Sequence, residues 1–262
     1  MATVKSQLPQ WASGRILAFL DKPTRRYEPF CAPHSDLLQR CLQPADVLLI
    51  EGNTRLSAII KYLTQSTWSH AALYVGDVLR PETSQAGPRA LVEAQPTLGV
   101  IAVPLSKYAH FNTRICRPVG LSSSDRRKIV DFALASLGQQ YDNRHVLDLA
   151  RYLFPHPPVP VHLRRRFLAL GSGDPTRAIC STLIAKAFQS VRYPILPEIE
   201  SKGTVEGSPA YGVAPYVQRE ILHIRNYGLF TPRDFDVSPY FAIVKPTVES
   251  NFDYRTLTWA PD

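Results

Sequence analysis

The sequence predicts an α+β fold in which an antiparallel sheet carries helices packed against it. Apolar strand segments bounded by turn residues dominate residues 42–117, and helical stripes of apolar residues follow at 122–138 and after Cys180. The predicted order is strand, helix, several strands, three helices, a long loop and a last strand. Strands that cluster along the chain, instead of alternating with helices, indicate the α+β class.

The first half of the chain contains most of the predicted strands. A Pro turn precedes the first strand, which Gly52 ends, and Asn53 or Thr54 caps the helix that follows. A short amphipathic helix is predicted before them, at 5–20. The predicted strands are 42–52, 69–75, 90–94, 99–103 and 113–117.

The second half is mainly helical. One of Ser122, Ser123 or Ser124 caps a helix that ends near Gly138, with an apolar stripe at the spacing of a helix turn. Prolines end the next predicted helix. A later segment is long and shows no periodicity, which is typical of a binding loop, a lid or disorder. The predicted segments are a helix at 143–154, an insertion at 155–178, a helix at 180–189, the aperiodic segment 192–232 and a strand at 238–244.

Composition bounds the class of protein. The 262 residues, 45% of them hydrophobic, suffice for one substantial domain or two small ones. Four cysteines in a chain of this length do not form the framework of a disulfide-rich secreted protein. No apolar run is long enough for a secretory signal or a membrane span. We therefore expect a soluble, cytoplasmic protein with reduced thiols.

The net charge of +8 has two interpretations. Basic patches at 25–26, 126–128 and 164–166 are either ordinary solvated surface, which we favour, or a surface that attracts anionic lipid or an acidic substrate. No nucleic-acid-binding motif accompanies them, so no nucleic-acid partner is predicted.

His70 and Cys180 are the first candidate catalytic residues. His70 begins an apolar strand, and Cys180 lies at the predicted start of a helix, where the helix dipole and free N–H groups stabilise a thiolate. A nearby imidazole would complete a cysteine nucleophile. The alternatives are a small buried core cysteine and a histidine at a strand edge.

Glu93 and Tyr141 are the candidate supporting residues. Glu93 is an acid inside an apolar strand, and an acid is rarely buried unless it is paired. If its strand lies beside that of His70, the carboxylate would accept a hydrogen bond from the ring N–H of His70. Tyr141 follows a helix end and would donate to an oxyanion. The alternatives are a solvent-facing edge acid and a surface tyrosine.

No metal site or cofactor is predicted. Cys31, His34 and Cys41 supply three potential ligands without an evident fourth, and no Gly-rich phosphate loop occurs. Cys116 lies in a strand and is predicted to be core.

Five segments in order resemble the circularly permuted papain-like cysteine hydrolases of the NlpC/P60 superfamily, in particular the YiiX/YebB-like group. In papain the cysteine precedes the histidine, whereas here His70 comes first. Two positions depart from the family pattern: Ala45 stands where glycine is usual, and Thr182 where an acid is common. The matching segments are Gln43–Gly52, Ser69–Asp77, Val92–Val100, Gly138–Asp142 and Ile179–Phe188.

The resemblance implies a bacterial cysteine hydrolase that cleaves a peptide or cell-wall-peptide-like amide bond. Carried over by position, it implies Cys180 as nucleophile, His70 as base, Glu93 as the group that orients the base, and Tyr141 near the oxyanion. The catalytic domain would span 41–250, with insertions at 155–178 and 192–232. Residues 1–40 would form a helical extension and 251–262 a tail.

Two other functions stay open. The lecithin-retinol acyltransferase group shares the permuted order, so a lipid-directed acyltransferase or deacylase is the first alternative. That group has an Asn-Cys-Glu-His-Phe-like motif, whereas this chain has Ile-Cys-Ser-Thr-Leu at 179–183. The second alternative is a papain-like binding module without catalysis, against which the presence of all three candidate triad residues counts.

Overall fold

The computed structural model describes residues 15, 18–24, 27–29, 35–79, 90–140, 179–201, 220–223, 226–249, 253 and 255. Elements are numbered in chain order within these ranges. The helices are α1 Ser35–Cys41, α2 Arg55–Thr64, α3 Ser123–Ala135, α4 Ile179–Ser190, α5 Pro232–Asp236 and α6 Pro246–Glu249, with 3₁₀ turns at Leu105–Tyr108 and Tyr227–Leu229. The strands are β1 Val47–Ile50, β2 His70–Tyr74, β3 Leu91–Gln95, β4 Gly99–Val103, β5 Thr113–Pro118, β6 Glu198–Ser201, β7 Glu220–His223 and β8 Phe241–Val244.

A six-stranded antiparallel sheet forms the centre of the described structure, in the order β4-β3-β2-β1-β5-β8. Each neighbouring pair is antiparallel, and β6 pairs with β7 in a separate two-stranded sheet. Helices pack against this central sheet, so the α+β class predicted from the sequence is confirmed.

Both faces of the central sheet are buried. Alternate residues of β2 point to opposite sides. Ala71 and Leu73 join the larger apolar core, which includes residues of α2, α3 and α4, while Ala72 and Tyr74 join a smaller core with residues of α1 and the 3₁₀ turn at 105–108. The strand that begins at His70 is therefore fixed from both sides.

Local sequence signals explain most of the helix boundaries. The hydroxyl of Thr54 accepts a hydrogen bond from the N–H of Ser57 at 3.1 Å, and that of Ser122 accepts one from Asp125 at 3.1 Å. Both side chains therefore cap their helices, as the sequence predicts. Cys116, predicted to be core, is buried.

Two parts of the prediction differ from the structure. Segment 192–232, predicted without periodicity, contains the β6–β7 pair, and α5 begins at its last residue. Their short lengths explain why no period is visible in the sequence. Strand β8 begins at Phe241 instead of residue 238, since Pro239 and Tyr240 form a turn before it, closed by a hydrogen bond from the N–H of Phe241 to the carbonyl of Ser238.

Several predictions lie outside the described residues: the helix at 143–154, the insertion at 155–178 and the basic patches at 25–26 and 164–166. The patch at 126–128 lies in α3, where Arg126 donates to the carbonyl of Pro44 and Lys128 pairs with Asp125. None of the described helices has the length and apolar character that crossing a membrane requires.

Replacing Gly99 with alanine is expected to lower the free energy of unfolding by about 3 kcal/mol. Gly99 begins β4 with φ +73°, and an added Cβ would lie 2.3 Å from the carbonyl oxygen of Gln139. Gly120 is the matched control: its φ is +69°, but no atom lies within 4 Å of an added Cβ. Gly120→Ala should cost about 1 kcal/mol. Urea denaturation measures both, and equal losses would contradict the predicted overlap at Gly99.

Candidate active site

His70 and Glu93 come together because β2 and β3 are antiparallel neighbours. Leu73 pairs with Val92, and continuing this register places Glu93 opposite Ala72 on the face of the sheet that His70 shares. Glu93 is then diagonal to His70, within reach of a long side chain. The ring Nε2 of His70 lies 3.1 Å from Glu93 Oε2.

Glu93 is completely buried and surrounded by hydrogen-bond donors. Oε2 accepts from His70 and from the Tyr108 hydroxyl, while Oε1 accepts from Lys107 at 2.5 Å and Gln95 at 2.6 Å. Burial raises the pKa of Glu93, but the charges of His70 and Lys107 outweigh it and hold that pKa well below its ordinary value. Glu93 is therefore a carboxylate, which can accept from four donors at once.

Lys107, Tyr108 and Gln95 are site residues that the sequence reasoning missed. Lys107 and Tyr108 lie in the 3₁₀ turn just after β4, and Gln95 is the last residue of β3. Burial and the charge of Glu93 raise the pKa of Tyr108 well above 10, so its phenol stays protonated and donates. The available signal was physical: an acid buried in an apolar strand requires donors.

Cys180 lies in the first turn of α4, with its side chain almost fully buried beside His70. Its sulfur is near enough to the His70 ring and to the N–H of Ala71 for both to lower the pKa of the thiol, and it lies 3.9 Å from the Ser181 hydroxyl. Since Nε2 of His70 faces Glu93, Nδ1 is left for the thiol. Leu183, Ala187 and Phe188 are buried and anchor the helix.

The ionisation of Cys180 and His70 is coupled. Burial raises the pKa of Cys180, but the imidazolium charge and its hydrogen bond outweigh this and lower it below the ordinary 9.0. Burial lowers the pKa of His70, but the charges of Glu93 and of the thiolate raise it to about 10. Each residue therefore favours the charged form of the other, and the pair favours thiolate and imidazolium.

A cavity of about 310 Å³ opens onto His70 and Cys180. Its lining includes polar side chains, among them Lys107 and Gln95. It also includes the apolar side chains of Leu20, Ile50, Leu56, Ile60 and Phe111. The reactive sulfur therefore faces a space that can hold a substrate.

Two groups of predicted residues lie wholly or partly outside the described structure. Tyr141 is one, so its position relative to the cavity is not described. Of the three potential metal ligands, Cys31 and His34 also lie outside, and Cys41 is half-buried. Within the described ranges, no three His, Cys, Asp or Glu side chains are grouped so as to hold a metal ion.

Comparison with known proteins gives one family match. The family described as permuted papain-like amidase enzyme, YaeF/YiiX, C92 family, matches residues 41–153. This range includes His70, Glu93, Lys107 and Tyr108, and it ends before Cys180. No curated protein matches this chain.

Among solved structures, the chain is similar to one described as the metalloprotein yiiX from Escherichia coli O157:H7, DUF1105. The two are 18% identical with a TM-score of 0.43, over 78% of this chain and 96% of the other. The family match confirms the resemblance predicted from the sequence: over residues 41–153 the chain matches the model of the permuted papain-like, YiiX-like amidases.

Proposed function

We propose that the protein hydrolyses an amide bond through a Cys180–His70–Glu93 triad, with the acyl group held on Cys180 as a thioester. The supporting observation is the alignment of the three side chains: Glu93 hydrogen-bonds Nε2 of His70 at 3.1 Å, and the His70 ring lies beside the Cys180 thiol in the same cavity and lowers its pKa. A nucleophile, a base that it touches and a third group that orients the base are the parts that cysteine catalysis needs.

The proposed reaction uses the proton that Cys180 has given to His70. The thiolate attacks the carbonyl carbon, and the imidazolium protonates the leaving amine as the C–N bond breaks. Neutral His70 then takes a proton from a water molecule, whose oxygen attacks the thioester and releases the carboxylic acid. Glu93 stays ionised throughout and holds Nε2–H, so that Nδ1 exchanges the proton with Cys180.

The developing oxyanion needs donors near the sulfur. The N–H of Cys180 is in the first turn of α4, where backbone N–H groups have no acceptor within the helix. A donor aimed at the oxyanion contributes about 3 kcal/mol to transition-state stabilisation. The role of Tyr141 as a second donor stays a prediction from the family resemblance.

The experiment that tests this proposal is the pH dependence of alkylation by iodoacetamide, followed residue by residue by mass spectrometry. Because the pKa of Cys180 is lowered below 9.0, its thiolate persists at lower pH than that of an ordinary thiol. The pKa of His70, about 10, sets the upper limit of the pH range in which the ion pair exists. We expect Cys180 to react already below pH 9 and at a nearly constant rate from there to about pH 10.

Cys41 is the internal control for this experiment. Burial and the charge of Glu249 raise the pKa of Cys41 above 9.0, so it should react only in more alkaline solution. Acid quenching during turnover of an acyl 4-nitroanilide should also leave the acyl mass on Cys180. A single common pH profile for the two thiols, above pH 9, would contradict the ion pair and with it the proposed mechanism.

A second candidate function is acyl transfer or deacylation with a fatty acyl group. The apolar side chains that line the active-site cavity favour it. Five apolar side chains there could contact an alkyl chain attached to the sulfur. A panel of amino-acid and fatty-acid 4-nitroanilides, with and without an added amine acceptor, separates the two functions. Preference for long acyl chains and transfer to the amine would favour the second candidate.

A further inference from the structure

A second cavity lies on the other side of the Trp68–His70 segment from the active site. It has a volume of about 730 Å³ and shares none of its described lining residues with the active-site cavity. Its walls come from the loop before β2, the start of β5, the end of β8, and helices α1, α5 and α6. A volume of this size is typical of small-molecule sites, and the mechanism proposed above makes no use of it.

Positive charge exceeds negative charge in this cavity, which we call the Trp68 cavity. Asp236 is the one acid among its described lining residues, against three cations. Both Asp236 oxygens are engaged: Oδ1 accepts from Arg114 at 2.6 Å and Oδ2 from the Trp68 indole at 3.1 Å. Within the described residues no carboxylate pairs with the other two cations, Arg233 and Lys245.

Arg233 is held in place without losing its charge. One guanidinium nitrogen donates to the carbonyl of Thr64 at 2.9 Å, which anchors the side chain and leaves its other N–H groups for a ligand. A backbone carbonyl neutralises no charge. Arg233 is therefore a fixed cation at the cavity wall, and Lys245, an exposed residue directly after β8, is a mobile one.

A hydroxyl and an apolar surface complete the cavity. The Thr113 hydroxyl is buried and has no hydrogen-bond partner within the described part of the chain, which is costly unless a ligand or water supplies one. The Trp68 ring is only 5% exposed and lies against Arg114, so the accessible apolar surface comes from Ile243, which is 37% exposed, and from Pro246. Two cations without a carboxylate partner among the described residues, one buried hydroxyl and an apolar surface together match a ligand with a doubly charged head and an apolar body.

We propose that the Trp68 cavity binds a phosphate monoester carried on an aromatic or other apolar group. Arg233 and Lys245 would bind the dianion, and Thr113 would donate its hydroxyl to a phosphate oxygen. Ile243 would lie against the apolar group. Guanidinium and ammonium groups are the usual partners of phosphate, and the guanidinium binds it through two parallel hydrogen bonds.

Isothermal titration calorimetry with phenyl phosphate tests this proposal. We expect saturable binding to the wild-type protein, weaker binding of inorganic phosphate and of the monoanion benzoate, and none of phenol. Arg233→Gln and Lys245→Gln should each weaken phenyl phosphate binding about tenfold, because each removes a charge-assisted hydrogen bond. Lys128→Gln is the matched control: it removes an exposed lysine of α3 and should leave binding unchanged.

Two further measurements keep the result decisive. Arg233→Gln loses its contact with Thr64 and so can fold poorly. Thr113→Val replaces only the hydroxyl, so it should weaken binding without this effect on folding. Alkylating Cys180 should leave the affinity unaltered, which separates this cavity from the active site. Three results would overturn the proposal. They are absence of binding at about 10 mM phenyl phosphate, an affinity of the Arg233 and Lys245 variants equal to that of the wild-type protein, and loss of binding when Cys180 is alkylated.

Discussion

Replacing Cys180 with alanine is expected to lower kcat/KM for amide hydrolysis by about five to six powers of ten, to the background that binding alone supplies. The change removes the only atom that can carry the acyl group, and His70 then has no thiol to deprotonate. Cys180→Ser should be similarly inactive, because a hydroxyl gives up its proton far less readily than this thiol. Initial rates on the 4-nitroanilide panel measure both variants.

Cys41→Ala is the matched control for the thiol. Cys41 is half-buried at the end of α1, and its thiol pKa is raised instead of lowered. Its loss should leave kcat/KM within about twofold of the wild-type value. Full turnover by the Cys180→Ala protein, or an equal loss in the Cys41→Ala protein, would exclude Cys180 as the nucleophile.

Replacing Glu93 with glutamine is expected to lower kcat/KM by about three to four powers of ten while the side-chain shape is kept. All four partners of Glu93 are donors, and an amide turns one acceptor oxygen into a further donor. His70 then loses its orienting carboxylate and its raised pKa, which is about 10 in the intact site. Iodoacetamide labelling of Cys180 at neutral pH should therefore fall together with activity.

The same substitution should lower the free energy of unfolding by about 3 kcal/mol, because it leaves buried donors and the Lys107 charge without a carboxylate. Glu51→Gln is the control: Glu51 accepts from Lys61 at 3.0 Å and from Asn112 at 2.7 Å, outside the active-site cavity. It should keep near wild-type activity and the labelling profile of Cys180. If Glu93→Gln lost stability but retained the labelling profile, Glu93 would be a structural residue and not the orienting group.

Much of the sheet and of its attached helices could be predicted because those signals are local. Strand β4 lies where the sequence predicts it, and α4 differs from its prediction by one residue at each end. Ala45 shows how a departure from the family pattern is accommodated. Its φ is +69°, a left-handed conformation that glycine adopts at no steric cost.

The environment of Glu93 could be predicted only in part. The alternation in β2 and the acid in β3 suggest that His70 and Glu93 are neighbours, since both lie in regular strands. Lys107 and Tyr108 approach Glu93 through a turn of irregular backbone, for which no periodic pattern exists in the sequence. Thr182 shows the same limit: it is buried, and its hydroxyl has no partner within the described residues, which no neighbouring residue in the sequence indicates.

The chain order of the site has a consequence for synthesis on the ribosome. His70, Glu93, Lys107 and Tyr108 all belong to the antiparallel segment 70–108, whose contacts between β2, β3 and β4 are close in sequence and form early. Cys180 emerges only after that segment and α3 are complete. A nascent chain that has reached residue 140 thus contains a base and its carboxylate but no nucleophile, so the reactive thiolate can form only once α4 has been made and has docked on the strands that precede it.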